Sequence, residues 1–230
     1  MGDLDGKRIL ITSGPTRGPI DAIRYITNKS TGRLGTIIAV QALSRGAAVT
    51  FLYGKGSLAP TADMVGDEDM SRLTLIEIET VDHLLQAVQG ELSGKEYDAV
   101  LHSMAVLDYV PDEYVAAKTP SGQNEWWVKL VKTPKVIKVI KELQPATLLI
   151  SFKLEVSQTR EELVEAAHRS LLSNRSDYVL ANDLLDVERG YHVGYLVNSA
   201  GQVEAVVEGK EEIARQLLDV VARNSAIGAN

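Results

Sequence analysis

The 230-residue sequence contains no cysteine. That absence excludes disulfides, thiolate metal ligands and a cysteine nucleophile together, and it fits a reducing compartment. Histidine is scarce, at four residues, and none is spaced as H-E-x-x-H or as a zinc cluster. The G-x-S-x-G elbow of serine hydrolases is missing. So are the two commonest nucleotide fingerprints, G-x-G-x-x-G and G-x-x-x-x-G-K-[ST]. No apolar run approaches the about 18 residues that a bilayer-spanning helix needs. The acidic opening MGDLDGKRILI lacks the n- and h-regions of a signal peptide. Basic residues are outnumbered, 24 Lys and Arg against 31 Asp and Glu, for a net charge of −7, the reverse of a nucleic-acid binder. The expectation is a cytoplasmic protein with no membrane or nucleic-acid partner. Any chemistry then rests on electrostatics, lysines and a nucleotide.

What is present reads as an ordinary soluble α/β chain, 45% hydrophobic and 24% charged, long enough to bury a sizeable core. Apolar runs predict strands at 8–12, 48–53, 73–78, 99–103, 147–152, 178–181, 193–197 and 203–207. Amphipathic periodicity predicts helices at 34–45, 81–92, 134–143, 159–173 and 211–223. Strands separated by helices imply a Rossmann-like, three-layer fold. Its mostly parallel sheet is covered by helices on both faces. The short turn at 198–202 adds an antiparallel hairpin. The whole chain, 1–230, reads as a single domain. One long segment, 110–125, carries Pro111, Pro120 and Gly122 with few apolar residues, and is read as a mobile flap.

The stretch from Ile9 to Gly35 is the most informative. An apolar strand empties into Ser13-Gly14-Pro15-Thr16 and then Asn28-Lys29-Ser30-Thr31-Gly32 before a helix begins. Free N–H groups and the positive end of a helix favour an anion at such a place. Segments 13–18, 102–109, 151–155 and 181–185 all fall at the C-terminal ends of predicted strands, the edge where open α/β sheets hold ligands. In the second of these, Asp108 follows small residues and suits sugar hydroxyls, a water-bridged Mg²⁺, or simply a turn. His102 is flanked by apolar residues and reads as a core histidine. Thr133 and Pro134 make a good helix start, with Thr133 as cap, and the nearby lysines would also suit a triphosphate. Asn28 is either a turn residue or an amide donor for charge developing in acyl transfer. Trp126-Trp127 reads as interface or core.

Several of these segments resemble one family. Gly14-Pro15-Thr16-Arg17, Ile20-Asp21 and Arg24-Tyr25-Ile26-Thr27-Asn28-Lys29-Ser30-Thr31-Gly32 are similar to the opening motif of phosphopantothenoylcysteine synthetase, also called phosphopantothenate–cysteine ligase. Ala105-Val106-Leu107-Asp108-Tyr109, Lys132-Thr133-Pro134, Phe152-Lys153-Leu154-Glu155 and Ala181-Asn182-Asp183 follow in the same order. The resemblance spans nearly the whole chain. It implies the stand-alone bacterial form of the ligase half of the bifunctional coenzyme A biosynthesis flavoprotein, acting alongside a separate flavin-dependent decarboxylase. The implied reaction joins 4′-phosphopantothenate to L-cysteine through an acyl-nucleotide, with CTP (in some members ATP) and Mg²⁺. It also implies roles for particular residues. Asn28 would contact the intermediate and Lys118 would act from the flap. Gly14, Ser30, Gly32, Met104, Ala105, Asp108, Pro134, Lys135, Val136, Ile137, Phe152 and Arg169 would bind the nucleotide or its phosphates. Direct metal ligands are not assigned. The chain departs from the family in two places. Val115-Ala116-Ala117-Lys118 stands where bifunctional members carry K-x-K-K, and Met104 replaces the first alanine of a pair. Family members dimerise, so a homodimer that buries the tryptophans is expected. A competing reading, an NAD(P)-binding oxidoreductase, suffers from the missing fingerprint and from a second strand, Phe51-Leu52-Tyr53-Gly54-Lys55, that ends without an acidic residue.

Overall fold

The computed structural model describes residues 2–227. From the N-terminus, β1 (Arg8–Ser13) leads into a small hairpin, β2 (Arg17–Pro19) and β3 (Tyr25–Thr27), then α1 (Arg33–Ser44) and β4 (Ala48–Gly54). Two single-turn helices, α2 (Ala62–Val65) and α3 (Asp67–Met70), precede β5 (Leu73–Ile78), α4 (Val81–Gly94) and β6 (Ala99–His102). A second hairpin, β7 (Tyr109–Pro111) and β8 (Leu130–Lys132), is followed by α5 (Val136–Leu143) and β9 (Leu148–Glu155). The chain continues through α6 (Arg160–Asn174), β10 (Tyr178–Asp183), α7 (Leu184–Glu188), β11 (Val193–Asn198), β12 (Val203–Glu208) and α8 (Lys210–Ile227).

The main sheet has eight strands in the order β12-β11-β10-β9-β6-β1-β4-β5. β10, β9, β6, β1, β4 and β5 run parallel, and β11 and β12 add the antiparallel edge expected from the 198–202 turn. Alternation along β1 assigns its side chains to two layers. Ile9 and Ile11 pack under α1 and α8 with Ile38, Leu43, Leu217 and Leu218. Leu10 faces the opposite layer with Leu84 and Val88 of α4 and Ile140 of α5. A third cluster seats Leu163, Ala167 and Leu171 of α6 on Val179 and Ala181. Helices therefore cover both faces, and the Rossmann-like expectation holds.

Three local readings change. β9 runs on to Glu155, because β10 stays in parallel register with it as far as Asp183. Residues at the start of the 110–125 segment belong to β7, paired with β8. Thr133 does not cap α5: the helix starts at Val136 with Lys135 at the N-cap position and no side-chain cap. The Thr133 hydroxyl instead donates to the Leu107 carbonyl at 2.7 Å, and its N–H to the Asp108 carbonyl at 2.9 Å. It fastens β8 to the loop after β6.

His102 closes β6 as the expected core histidine. Only 8% of it is exposed, its Nδ1 lies 2.8 Å from the Thr12 hydroxyl, and burial pushes its pKa down to about 4. Above the ordinary value of 6.5 the ring is neutral whether the chain is folded or not, so the full stability is present there. As pH falls from 6.5 towards about 4, only the unfolded chain takes up the proton, and stability is lost across that window. The shift corresponds to a loss of about 3 kcal/mol. Denaturant titrations of wild type and His102→Gln across this range should diverge by that amount, with the variant flatter. Parallel curves would refute it.

Candidate active site

Strand order reverses beside β1. β4 and β5 lie to one side, and β6, β9 and β10 to the other. The loops leaving β1 and β6 therefore part at their carboxyl ends, where open α/β sheets form a crevice. They first run side by side, since Pro15 bridges Ala105 in parallel and Ala105 N–H donates to the Gly14 carbonyl at 2.9 Å. Past that seam the chain turns over α1. Gly14 has φ +76°, and a Cβ there would stand 2.4 Å from the Ser57 hydroxyl. Gly35 sits in the first turn of α1, where a Cβ would be 2.3 Å from Ser13 Oγ and 2.6 Å from Ser13 Cβ. The helix start is thus pressed onto the end of β1, held by the Ser13 hydroxyl donating to the Gly32 carbonyl at 2.9 Å. Gly35→Ala should push α1 off Ser13, destabilising the protein by about 1–3 kcal/mol as overpacking does. The shape of the crevice should change with it. Thermal unfolding and hydrogen exchange of the 30–36 amides check both effects; unchanged values in both would show that α1 is not pressed onto Ser13.

The resulting cavity holds about 310 Å³. Gly14, Ser30, Gly32, Met104, Ala105 and Phe152, all expected from the sequence, line it. Ser103, Leu154, Asn182 and His192 join them, as do the cations Lys29, Arg33 and Lys210, and no carboxylate lines it. A cavity at the amino ends of the strands, by contrast, is lined by Glu96, Asp98 and Asp177 with Lys7. Asn182 carried a signal, because it follows a predicted strand in the Ala181-Asn182-Asp183 motif. His192 and Lys210 carried none.

The other expected residues divide. Asn28 stands at the seam, its amide donating to the carbonyls of Ala105 and Val106 at 3.2 and 3.3 Å. Asp108 and Lys135 form an exposed ion pair at 2.6 Å beside the start of α5. Pro134 is exposed next to them. Val136 is 2% exposed and packs in the α4–α5 core, and Ile137 leans on the same cluster. Their side chains are structural, leaving only backbone N–H groups to face a ligand. Arg169 does not reach the crevice. It lies nine residues into α6, about 13 Å from its start, where it pairs with Glu165. Its neighbour His168 faces the Gly201 turn at the opposite end of the sheet.

Lys118 is exposed on the segment between β7 and β8. That segment is tied to the β2–β3 hairpin at Asp21, which bridges Val115. The Asp21 carboxylate is 3% exposed and accepts the N–H groups of Ile23, Arg24 and Thr119 at 2.9, 2.8 and 3.1 Å, with the Arg24 guanidinium at 2.6 Å. Burial alone would raise its pKa. The three N–H donors and Arg24 outweigh that and hold it well below the usual carboxylate range. Trp126 and Trp127 are not core residues: they are 42% and 86% exposed, with Arg24 5.2 Å from the Trp126 ring. Among the described residues no group of three or more His, Cys, Asp or Glu could hold a metal, and no helix is long and apolar enough to cross a membrane.

Known proteins match this architecture. The chain is 42% identical over 181 residues to the coenzyme A biosynthesis bifunctional protein CoaBC of Thermococcus kodakarensis, covering 79% of this chain and 42% of that protein. With the Escherichia coli protein of the same name it shares 30% over 230 residues, 96% of this chain and 53% of the relative. The chain thus spans about half the length of the curated relatives it matches. Among solved structures, the DNA/pantothenate metabolism flavoprotein from Streptococcus pneumoniae superposes with a TM-score of 0.83 at 35% identity, over 94% of this chain and 98% of that one. The C-terminal domain of CoaBC gives 0.75 at 29%, over 97% of both. Residues 4–224 match the family described as DNA/pantothenate metabolism flavoprotein, C-terminal domain, and the chain belongs to that family.

Proposed function

We propose that the protein is a nucleotide-dependent ligase of coenzyme A biosynthesis that joins 4′-phosphopantothenate to L-cysteine. The observation that supports this best is the crevice at the strand-order reversal, free of carboxylates, with Asn28 bonded across its seam. The matched relatives, coenzyme A biosynthesis proteins, and the CoaBC C-terminal domain agree with it. In this reading the phosphopantothenate carboxylate attacks the α-phosphate of CTP, or of ATP in its place, and pyrophosphate leaves. The cysteine amine then attacks the acyl carbon, loses a proton, and displaces the nucleoside monophosphate. Asn28 fixes the Ala105–Val106 loop against which the acyl-nucleotide forms. Lys118 is carried over the phosphates when the 110–125 flap closes, which shields the intermediate from water.

Mg²⁺ suits this reading as an ion that arrives with the triphosphate. It favours phosphates plus one or two carboxylates over a protein cage, and Asp108, in the loop after β6, is a carboxylate that could serve. A separate flavin-dependent decarboxylase would take the product onward, and the reaction would take place in the cytoplasm. Two copies would pair through the exposed Trp126-Trp127 face, each completing the other's site. Sedimentation of a fully active 25 kDa species would end that part of the reading.

The deciding experiment measures pyrophosphate release with CTP and with ATP, each with phosphopantothenate and cysteine. Release that depends on phosphopantothenate, and amide formation that depends on cysteine, are expected, with CTP preferred. No release with either nucleotide would overturn the assignment.

A further inference from the structure

Lys210, His192 and Arg33 come from different parts of the chain. Lys210 opens α8, Arg33 opens α1, and His192 sits in the turn before β11 with φ +44°. Lys210 Nζ lies 2.6 Å from His192 Nε2 and 3.2 Å from Nδ1. All three line the crevice. This placement opposes ordinary helix electrostatics, since cations are disfavoured at the positive end of a helix. α1 has 12 residues, no acidic residue in its first turn and no side-chain cap, so its first N–H groups face the crevice end without a bound carboxylate. α8 has 18 residues and begins with Lys210. Burial and the neighbouring Arg33 hold Lys210 below its ordinary pKa. Burial, Lys210 and Arg33 do the same to His192, and only Glu211 opposes them in each case. Two cations, Lys210 and Arg33, set at two converging helix starts beside the His192 imidazole, in a cavity with no lining carboxylate, form a seat that an anion would relieve.

We propose that Lys210, with His192 and Arg33, is the seat for the terminal phosphates of the nucleotide and for the pyrophosphate that leaves. This rests on the ligase reading above. Asn28 marks the reacting end, at the loop after β6. The seat lines the same crevice as Ala105, so one triphosphate chain can place its α-phosphate at the carboxylate near Ala105 and its terminal phosphates at Lys210, which acts as a binding residue for the leaving group.

The test titrates inorganic pyrophosphate, CTP and CMP against wild type, Lys210→Gln, Lys210→Arg and His192→Gln. Removing one charge-assisted contact should weaken pyrophosphate and CTP by roughly tenfold or more, with CMP changed less than about twofold and Lys210→Arg restoring most of the loss. Pyrophosphate binding equally to wild type and Lys210→Gln would overturn the proposal. So would a loss for CMP as large as that for CTP. If wild type binds pyrophosphate through Lys210 yet releases none from CTP or ATP, the anion seat stands and the ligase reading fails.

Discussion

Asn28→Asp should lower amide formation by about a hundredfold, the effect of displacing reacting groups by about 1 Å, while leaving the fold in place. Asn28 is exposed, so the change removes little packing. Its amide, however, spans the crevice seam to the carbonyls of Ala105 and Val106 at 3.2 and 3.3 Å. A carboxylate in its place would set a negative oxygen against two carbonyl oxygens and against the phosphate of an acyl-nucleotide. Both effects push the two loops apart where the reacting groups must meet. Pyrophosphate release and amide formation, measured separately, should both fall, and the melting temperature should stay within a few degrees. Turnover near that of wild type would remove Asn28 from the mechanism.

The layers of this fold were legible in the sequence because buried parallel strands are short apolar runs and their covering helices keep a 3.6-residue period. Ile9 to Ile11, Val100 and Leu149 declare their strands this way. The order of the strands was not legible, since an apolar run says nothing about its neighbour. The crevice was visible nonetheless, because Ser13, Ser103, Phe152 and Asn182 each lie at or near the carboxyl end of a strand, and those ends share one edge of a parallel sheet. What escaped were the parts that carry no period. α2 and α3 bury no residue, so they left no apolar stripe. The strands of both small hairpins are three residues long. His192 and Lys210 are single residues on separate elements, brought together by the turn of the β11–β12 hairpin back towards α8. Arg169 shows the converse: its position on a helix was legible, but it lies outside the residues lining the crevice, because α6 runs away from the carboxyl edge and a place on a helix does not tell which end of the sheet a residue reaches.

The Asp21 clamp gives the second large effect. Asp21→Asn keeps the shape of the side chain but replaces one accepting oxygen with an N–H donor. Oδ1 accepts the N–H groups of Ile23 and Arg24, and Oδ2 accepts the Thr119 N–H and the Arg24 guanidinium, so two of the four donors must then face another donor. The three from the β2–β3 turn are local, whereas Thr119 reaches across from the flap, so the bond across the interface is the one expected to open. Arg24 also donates to the Thr119 carbonyl at 3.3 Å and would lose its own anchor. Lys118, one residue before Thr119, would then be misplaced. A displacement of about 1 Å in a positioning group can lower a rate about a hundredfold, and a loss of that order is expected in ligation. Protease cleavage between residues 112 and 129 should accelerate more than global unfolding does. Acid should reproduce the loosening late. The carboxylate is held below its ordinary 3.8, so its contribution is present above 3.8 and is lost only as pH falls below it, through the lowered value. That places it apart from the His102 window, which lies between 6.5 and about 4. If Asp21→Asn leaves both the cleavage rate of the flap and the ligation rate as they are in wild type, the clamp does not position Lys118 and the flap is held by its backbone pairing, β7 with β8 and Val115 with Asp21.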